Sequence, residues 1–139
     1  MFKNILVAVD GSEHALKAAR IAGDFARQMQ AELRVVTAFD PVPTYLGEPN
    51  LQKAIDERFE QAGQILAVAL EQIGEIPGEL KTDVLEGPAA EAILGVVEAR
   101  GNDLIIMGTR GLGRLTGLLL GSQSQKVVSH APCPVLLVR

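Results

Sequence analysis

Five short apolar runs alternate along this chain with four segments whose apolar residues recur at helical spacing, and few architectures accept that order. Residues 5–9, Ile5-Leu6-Val7-Ala8-Val9, form an unbroken, β-branched run. Such a run reads as a strand buried on both faces. A second run spans 33–39 and stops at Asp40-Pro41. In 80–85, Leu80, Thr82 and Val84 alternate with Lys81, Asp83 and Leu85, the pattern of a half-exposed or edge strand. Residues 104–107 and 135–138 supply the fourth and fifth strands.

The intervening segments read as helices. Ser12 is a good N-cap for the first, in which Ala15, Leu16, Ala19, Ala22, Phe25, Ala26 and Met29 recur through to about residue 30. The second spans 51–73, with Ala54, Ile55, Phe59, Ala62, Ile65, Leu66, Ala69 and Leu70 on one face, and ends before Gly74, Pro77 and Gly78. The third, 89–99, follows Pro88, which suits a helix's first turn. The fourth covers 122–129 and is broken by Ala131-Pro132. Strictly alternating strands and helices predict an α/β fold: an open five-stranded parallel sheet with helices on both faces, Rossmann-like. No repeat or linker divides the chain, so residues 1–139 are expected to form one domain.

Apolar residues make up 47% of the chain but aromatics only 4%, with no Trp, so the core must be built from Ala, Val, Ile and Leu. No stretch approaches the roughly 20 apolar residues of a membrane span, no leader pattern is visible, and the single Cys133 allows no internal disulfide. A cytoplasmic protein is expected. The net charge of −4 argues against a dedicated nucleic-acid binder. Cys133 is expected to be a small buried residue, His14 to lie on the exposed face of the first helix, and His130 to end the last.

The fourth strand runs into a long glycine-rich segment. Between residue 108 and the last helix lie Thr109 to Gly121, with glycines at 111, 113, 117 and 121. A connection of that length in a compact domain is usually functional or disordered. Glycines allow close backbone approach to a ligand, and the helix opening at Gly121-Ser122 presents free N–H groups and the positive end of its dipole. Ser122 and Ser124 add hydroxyls. Residues 104–139 contain Arg110, Arg114, Lys126 and Arg139 and no acid, whereas residues 1–103 carry nine basic against seventeen acidic side chains. A cationic glycine segment on an acidic protein points to a small anion such as a phosphate. A solvated surface loop is the alternative.

Ligands of open α/β sheets bind beyond the strands' carboxyl ends, where strand order switches direction. In the order 3-2-1-4-5 the switch sets Asp10-Gly11 beside Met107-Gly108; in 2-1-3-4-5 it lies beside Glu86-Gly87. The first places the glycine segment in the crevice and is preferred. Asp10 is then an acceptor suited to ribose hydroxyls or a metal, or else a turn or cap aspartate. There is no G-x-x-x-x-G-K-[ST] loop, no dinucleotide fingerprint after the first strand and no G-x-S-x-G elbow. Neither histidine is placed as a catalytic base, so no catalytic residue is assigned.

Gly108-x2-Gly111-x9-Gly121-Ser122 resembles the G-x2-G-x9-G-[ST] pattern of the universal stress protein family. Asp10-Gly11-Ser12, Ile105 to Gly111, and His130-Ala131-Pro132-Cys133-Pro134-Val135 also resemble the family's form, and the likeness runs from end to end. The resemblance implies the order 3-2-1-4-5 and, in the nucleotide-binding branch, an ATP site with Mg2+. Carried over by position, Asp10 would take the ribose. Ala8 and Ala38 would line the adenine, with Val9 beside them. Met107 and Gly108 would lie under the nucleotide. Gly111, Gly121, Ser122, Gln123 and Ser124 would hold the phosphates, and the charge of Arg110 suits an added phosphate contact. Gln123 departs from the family, which more often has a small aliphatic residue there. The family also implies a homodimer through Val135 to Val138, an apolar edge strand of the kind that invites pairing. The expected function is an ATP-binding, nucleotide-responsive stress-response module. The alternatives are a slow Mg-dependent ATPase and a dimeric interaction protein without nucleotide.

Overall fold

The computed structural model describes residues 1–109 and 120–139. Its order is β1 (Asn4–Ala8), α1 (Glu13–Met29), β2 (Glu32–Phe39), a 3-10 turn (Thr44–Leu46), α2 (Asn50–Ile73), β3 (Leu80–Glu86), α3 (Ala89–Arg100), β4 (Leu104–Gly108), α4 (Ser122–His130) and β5 (Val135–Val138). The strands form one parallel sheet in the order β3-β2-β1-β4-β5, as expected.

Side chains alternate across each strand, so the apolar runs feed two cores. Ile5, Val7, Leu33, Val35, Leu104 and Ile106 pack against α1 and α2. Leu6, Val36, Ile105 and Met107 pack against α3 and α4 through Ile93, Val97 and Val127. On α1 the buried face is Ala15, Ala18, Ala19, Ala22, Gly23 and Ala26. Small side chains let that helix lie close to both sheet and neighbour: a Cβ on Gly23 would stand 2.8 Å from the carbonyl oxygen of Ile73, at the end of α2. Ser12 caps α1, its Oγ accepting the N–H of Ala15 at 3.2 Å.

β3 is an edge strand, exposed from Leu80 to Thr82 and half-buried from Asp83 to Leu85 rather than alternating. Arg34 on β2, 8% exposed, is paired with Asp83 on β3. The apolar stripe of α2 is buried over less of its length than its periodicity predicts. Ala62, Leu66, Ala69 and Ile73 are buried, while Phe59 is half exposed and meets the ring of Phe39 edge-on at 5.4 Å.

Cys133 is half-buried rather than buried, because it lies in the turn before β5. Burial, and then the Asp103 carboxylate, push its thiol pKa above the usual value. His130 does sit at the end of α4, exposed, with Nδ1 3.0 Å from the carbonyl of Lys126. Among the described residues, no helix is long and apolar enough to cross a membrane.

Candidate functional site

The strand order places β1 beside β4, and Val9 continues past β1 to donate to the carbonyl of Val36 at 2.9 Å. Beyond the carboxyl ends of β1, β2 and β4 opens a cavity of about 340 Å³. That is within the usual range for small-molecule sites. Ten of the twelve site residues expected from the sequence line it. Ala8, Val9 and Asp10 come from β1 and the turn after it, and Ala38 from β2. Met107 and Gly108 end β4, and Gly121, Ser122, Gln123 and Ser124 open α4. Arg110 and Gly111 lie outside the described residues.

Apolar atoms of Ala8, Val36, Ile93 and Met107 make one wall. Asp10 stands exposed at the rim. Its Oδ1 accepts the N–H of Ser12 at 2.9 Å, so the turn role foreseen for this aspartate is real, while the cap role belongs to Ser12. Among the described residues Oδ2 has no partner, which leaves an acceptor facing solvent and cavity.

The start of α4 also lines the cavity. Gly121 is its N-cap and carries no side chain to cap it. The Gly121 N–H is taken by the carbonyl of Thr109 at 2.9 Å. Among the described residues no acceptor meets the N–H groups of Ser122, Gln123 and Ser124. Three free donors at the positive end of a helix dipole favour an anion.

The side chains here do not all act as their types suggest. Ser124 is buried, and its Oγ donates to the carbonyl of Gly108 at 3.0 Å. Its hydroxyl therefore ties α4 to β4 and is not a free donor; only its N–H is. Gln123 turns toward α3, where its Oε1 accepts the N–H of Ala90 at 2.8 Å. Pro88, the N-cap of α3, supplies no side-chain bond, so a glutamine from the neighbouring helix serves instead. His14 corrects the expectation of an exposed position. It is half-buried, with Nδ1 3.1 Å from the hydroxyl of Thr109, because the first turn of α1 packs directly on Gly108.

Ser12, Ala15, Val36, Thr37, Ala89 and Ile93 also line the cavity and were missed from the sequence. A signal existed for two of them. In a parallel sheet every following helix begins at the carboxyl edge, so the first turns of α1 and α3, with Ala15 and Ala89, had to border the crevice. Among the described residues no group of three or more His, Cys, Asp and Glu side chains could hold a metal ion.

The sequence profile of the universal stress protein family matches residues 1–139. This chain belongs to that family. A universal stress protein of Thermus aquaticus is 52% identical over 139 residues, covering all of both chains. UspA of Lactobacillus plantarum superposes with a TM-score of 0.80 at 28% identity, covering 99% of this chain and 98% of that one. Two other family structures share the fold at lower identity. One, in complex with cAMP, has a TM-score of 0.73 at 22% identity and covers 99% of this chain and 97% of its own. The other, from Archaeoglobus fulgidus in complex with dAMP, has a TM-score of 0.69 at 21%, covering 99% and 98%.

Proposed function

We propose that this universal stress protein binds an adenine nucleotide, ATP above all, in the cavity at the carboxyl edge of its sheet, and acts in the stress response as a nucleotide-responsive module. One observation carries the reading: a single cavity joins an apolar wall, a rim carboxylate and an uncapped helix N-terminus. Those are the three chemistries of a nucleotide: base, ribose and phosphate. Ala8, Val36, Ala38, Ile93 and Met107 suit the flat face of adenine. Asp10 Oδ2 suits the ribose hydroxyls. The N–H groups of Ser122, Gln123 and Ser124 suit phosphate oxygens. The family structures solved with cAMP and dAMP support the choice of adenine among bases.

Mg2+ in this reading travels with the triphosphate, held chiefly by phosphate oxygens and water, the usual habit of that ion. Arg110 and Gly111, next in chain after Thr109, are proposed to add to the phosphate contacts. The protein is proposed to be cytoplasmic and to pair with a second copy through β5, which among the described residues is an edge strand beside β4.

The test begins with protein purified without added nucleotide, denatured, and its released small molecules identified by mass spectrometry; Mg-ATP is then titrated by calorimetry. Bound or saturably binding ATP is expected, and Gly121→Val is expected to abolish it with the fold intact. Residue 121 has φ −62° and ψ 154°, a conformation open to valine. Absence of nucleotide and of binding heat would overturn the reading in favour of a dimer acting through its surface. Steady release of ADP would move it to the slow ATPase.

A further inference from the structure

Three hydrogen bonds converge on Thr109, the first residue after β4. Its N–H donates to the carbonyl of Val138 at the end of β5, at 2.9 Å. Its carbonyl accepts the N–H of Gly121, the N-cap of α4, at 2.9 Å. Its hydroxyl meets Nδ1 of His14 at 3.1 Å. Two of these bonds are backbone bonds that any residue could make. The third depends on a side chain from α1, a helix on the other face of the sheet from α4.

We infer that His14 is a positioning residue for the anion-binding end of the nucleotide site, acting through Thr109 on the N-cap of α4. His14 and Thr109 do not line the cavity; Gly121 does. The hydrogen-bonded route from the imidazole to the cavity runs through the Thr109 hydroxyl and then from the Thr109 carbonyl to the Gly121 N–H. The His14 end of this chain is well anchored. A Cβ on Gly108 would lie 2.8 Å from His14 Cβ and 3.0 Å from the His14 carbonyl carbon, so the first turn of α1 rests on the end of β4 with no slack. The backbone that carries the ring is held in place, and the ring's Nδ1 meets the Thr109 hydroxyl. Thr109 is then fixed in orientation on three sides, and its carbonyl points at the N-cap of α4.

Chemical consequence follows from what the Gly121 bond does. By engaging the N-cap N–H, Thr109 sets where the next three N–H groups stand, and those are the proposed phosphate donors. Such donors act by preorganisation, and a small misalignment weakens an anion contact steeply. The base and ribose contacts, made by Ala8, Asp10, Ala38 and Met107, do not pass through this chain. His14 should therefore matter for the phosphates and be indifferent to the nucleoside.

This inference rests on the adenine-nucleotide reading, and its test separates the two. ATP and adenosine are titrated by calorimetry into the wild type, His14→Ala, His14→Asn, Thr109→Val and the His14→Ala/Thr109→Val double variant. Loss of one hydrogen bond predicts ATP binding about three- to tenfold weaker in either single variant, with adenosine binding unchanged. The double variant should be no weaker than the weaker single one, because both remove the same bond. His14→Asn should restore ATP affinity to within about twofold, since a carboxamide offers both a donor and an acceptor near the Nδ1 position. Unchanged ATP affinity in His14→Ala, equal losses for ATP and adenosine, or additive losses in the double variant would each overturn the inference. A second measurement needs no ligand: hydrogen exchange of the Gly121 amide should be faster in His14→Ala than in the wild type. If the wild type binds neither compound, the nucleotide reading fails alone, and unchanged Gly121 exchange is then the result that overturns the role of His14.

Discussion

Gly108→Ala tests the packing that places the site. Gly108 ends β4, forms part of the cavity floor and lies under the first turn of α1. Its backbone is not in the left-handed region, so alanine brings no torsional penalty, and replacing glycine would by itself stabilise by about 0.4–1 kcal/mol through the unfolded chain. The added methyl group meets three atoms: His14 Cβ at 2.8 Å, the His14 carbonyl carbon at 3.0 Å and the Ala15 nitrogen at 3.1 Å. Ordinary van der Waals contact begins at 3.4 Å, so α1 and β4 must separate by about 0.6 Å, the difference between 3.4 and 2.8. None of the three atoms is the free end of a side chain, and two are backbone. Rotation of the imidazole cannot relieve the clash, and neither can His14→Ala, which keeps the Cβ.

Overpacking of this kind costs about 1–3 kcal/mol, and the glycine entropy term offsets part of it. A net loss of about 1–2 kcal/mol is expected. Unfolding entropy for a chain of this length is about 0.3 kcal/mol per kelvin, so Tm should fall by about 3–7 °C. Differential scanning calorimetry of the nucleotide-free protein reads this directly, and a urea titration should show a lower midpoint with an unchanged m-value. Gly108→Ala as stable as the wild type, or stabilisation of the variant by His14→Ala, would refute the claim that α1 sits on Gly108 without slack.

Two further outcomes follow from single contacts. Gln123→Leu removes the acceptor for the Ala90 N–H at the start of α3, which no other side chain among the described residues caps; stability should fall by about 0.5–2 kcal/mol by urea denaturation. ATP should still bind, because the proposed donor at position 123 is its backbone N–H. For Cys133, burial and the nearby Asp103 carboxylate hold the thiol protonated to higher pH than in a free cysteine. Its alkylation by iodoacetamide at pH 8 should be slower than that of the urea-unfolded chain, and Asp103→Asn should narrow the gap.

Much of the fold can be read in the chain because the periods of its apolar residues are local properties. A run such as Ile5 to Val9, apolar at every position, has to be covered on both faces, and helices between strands force parallel crossovers. The strand order was reached through the glycine segment rather than through the strands, since only 3-2-1-4-5 brings Asp10 and Met107-Gly108 together. The family resemblance carried by that glycine spacing then implied site residues on β1, β4 and α4, and these line the cavity. Position along the chain, however, says nothing of what a side chain meets across the sheet. His14 looks exposed by helical periodicity and is half-buried because α1 descends onto Gly108. Ser124 looks like a free hydroxyl and is spent on the Gly108 carbonyl. Gln123 looks like an intrusion at the pocket rim and caps another helix. Period, length and glycine spacing are set residue by residue, so sequence alone determined the elements and the edge of the sheet where the cavity opens. Hydrogen-bond partners depend on distances between elements far apart in the chain, and only the packed sheet decided which polar groups were consumed by the fold and which, among the described residues, were left without a partner.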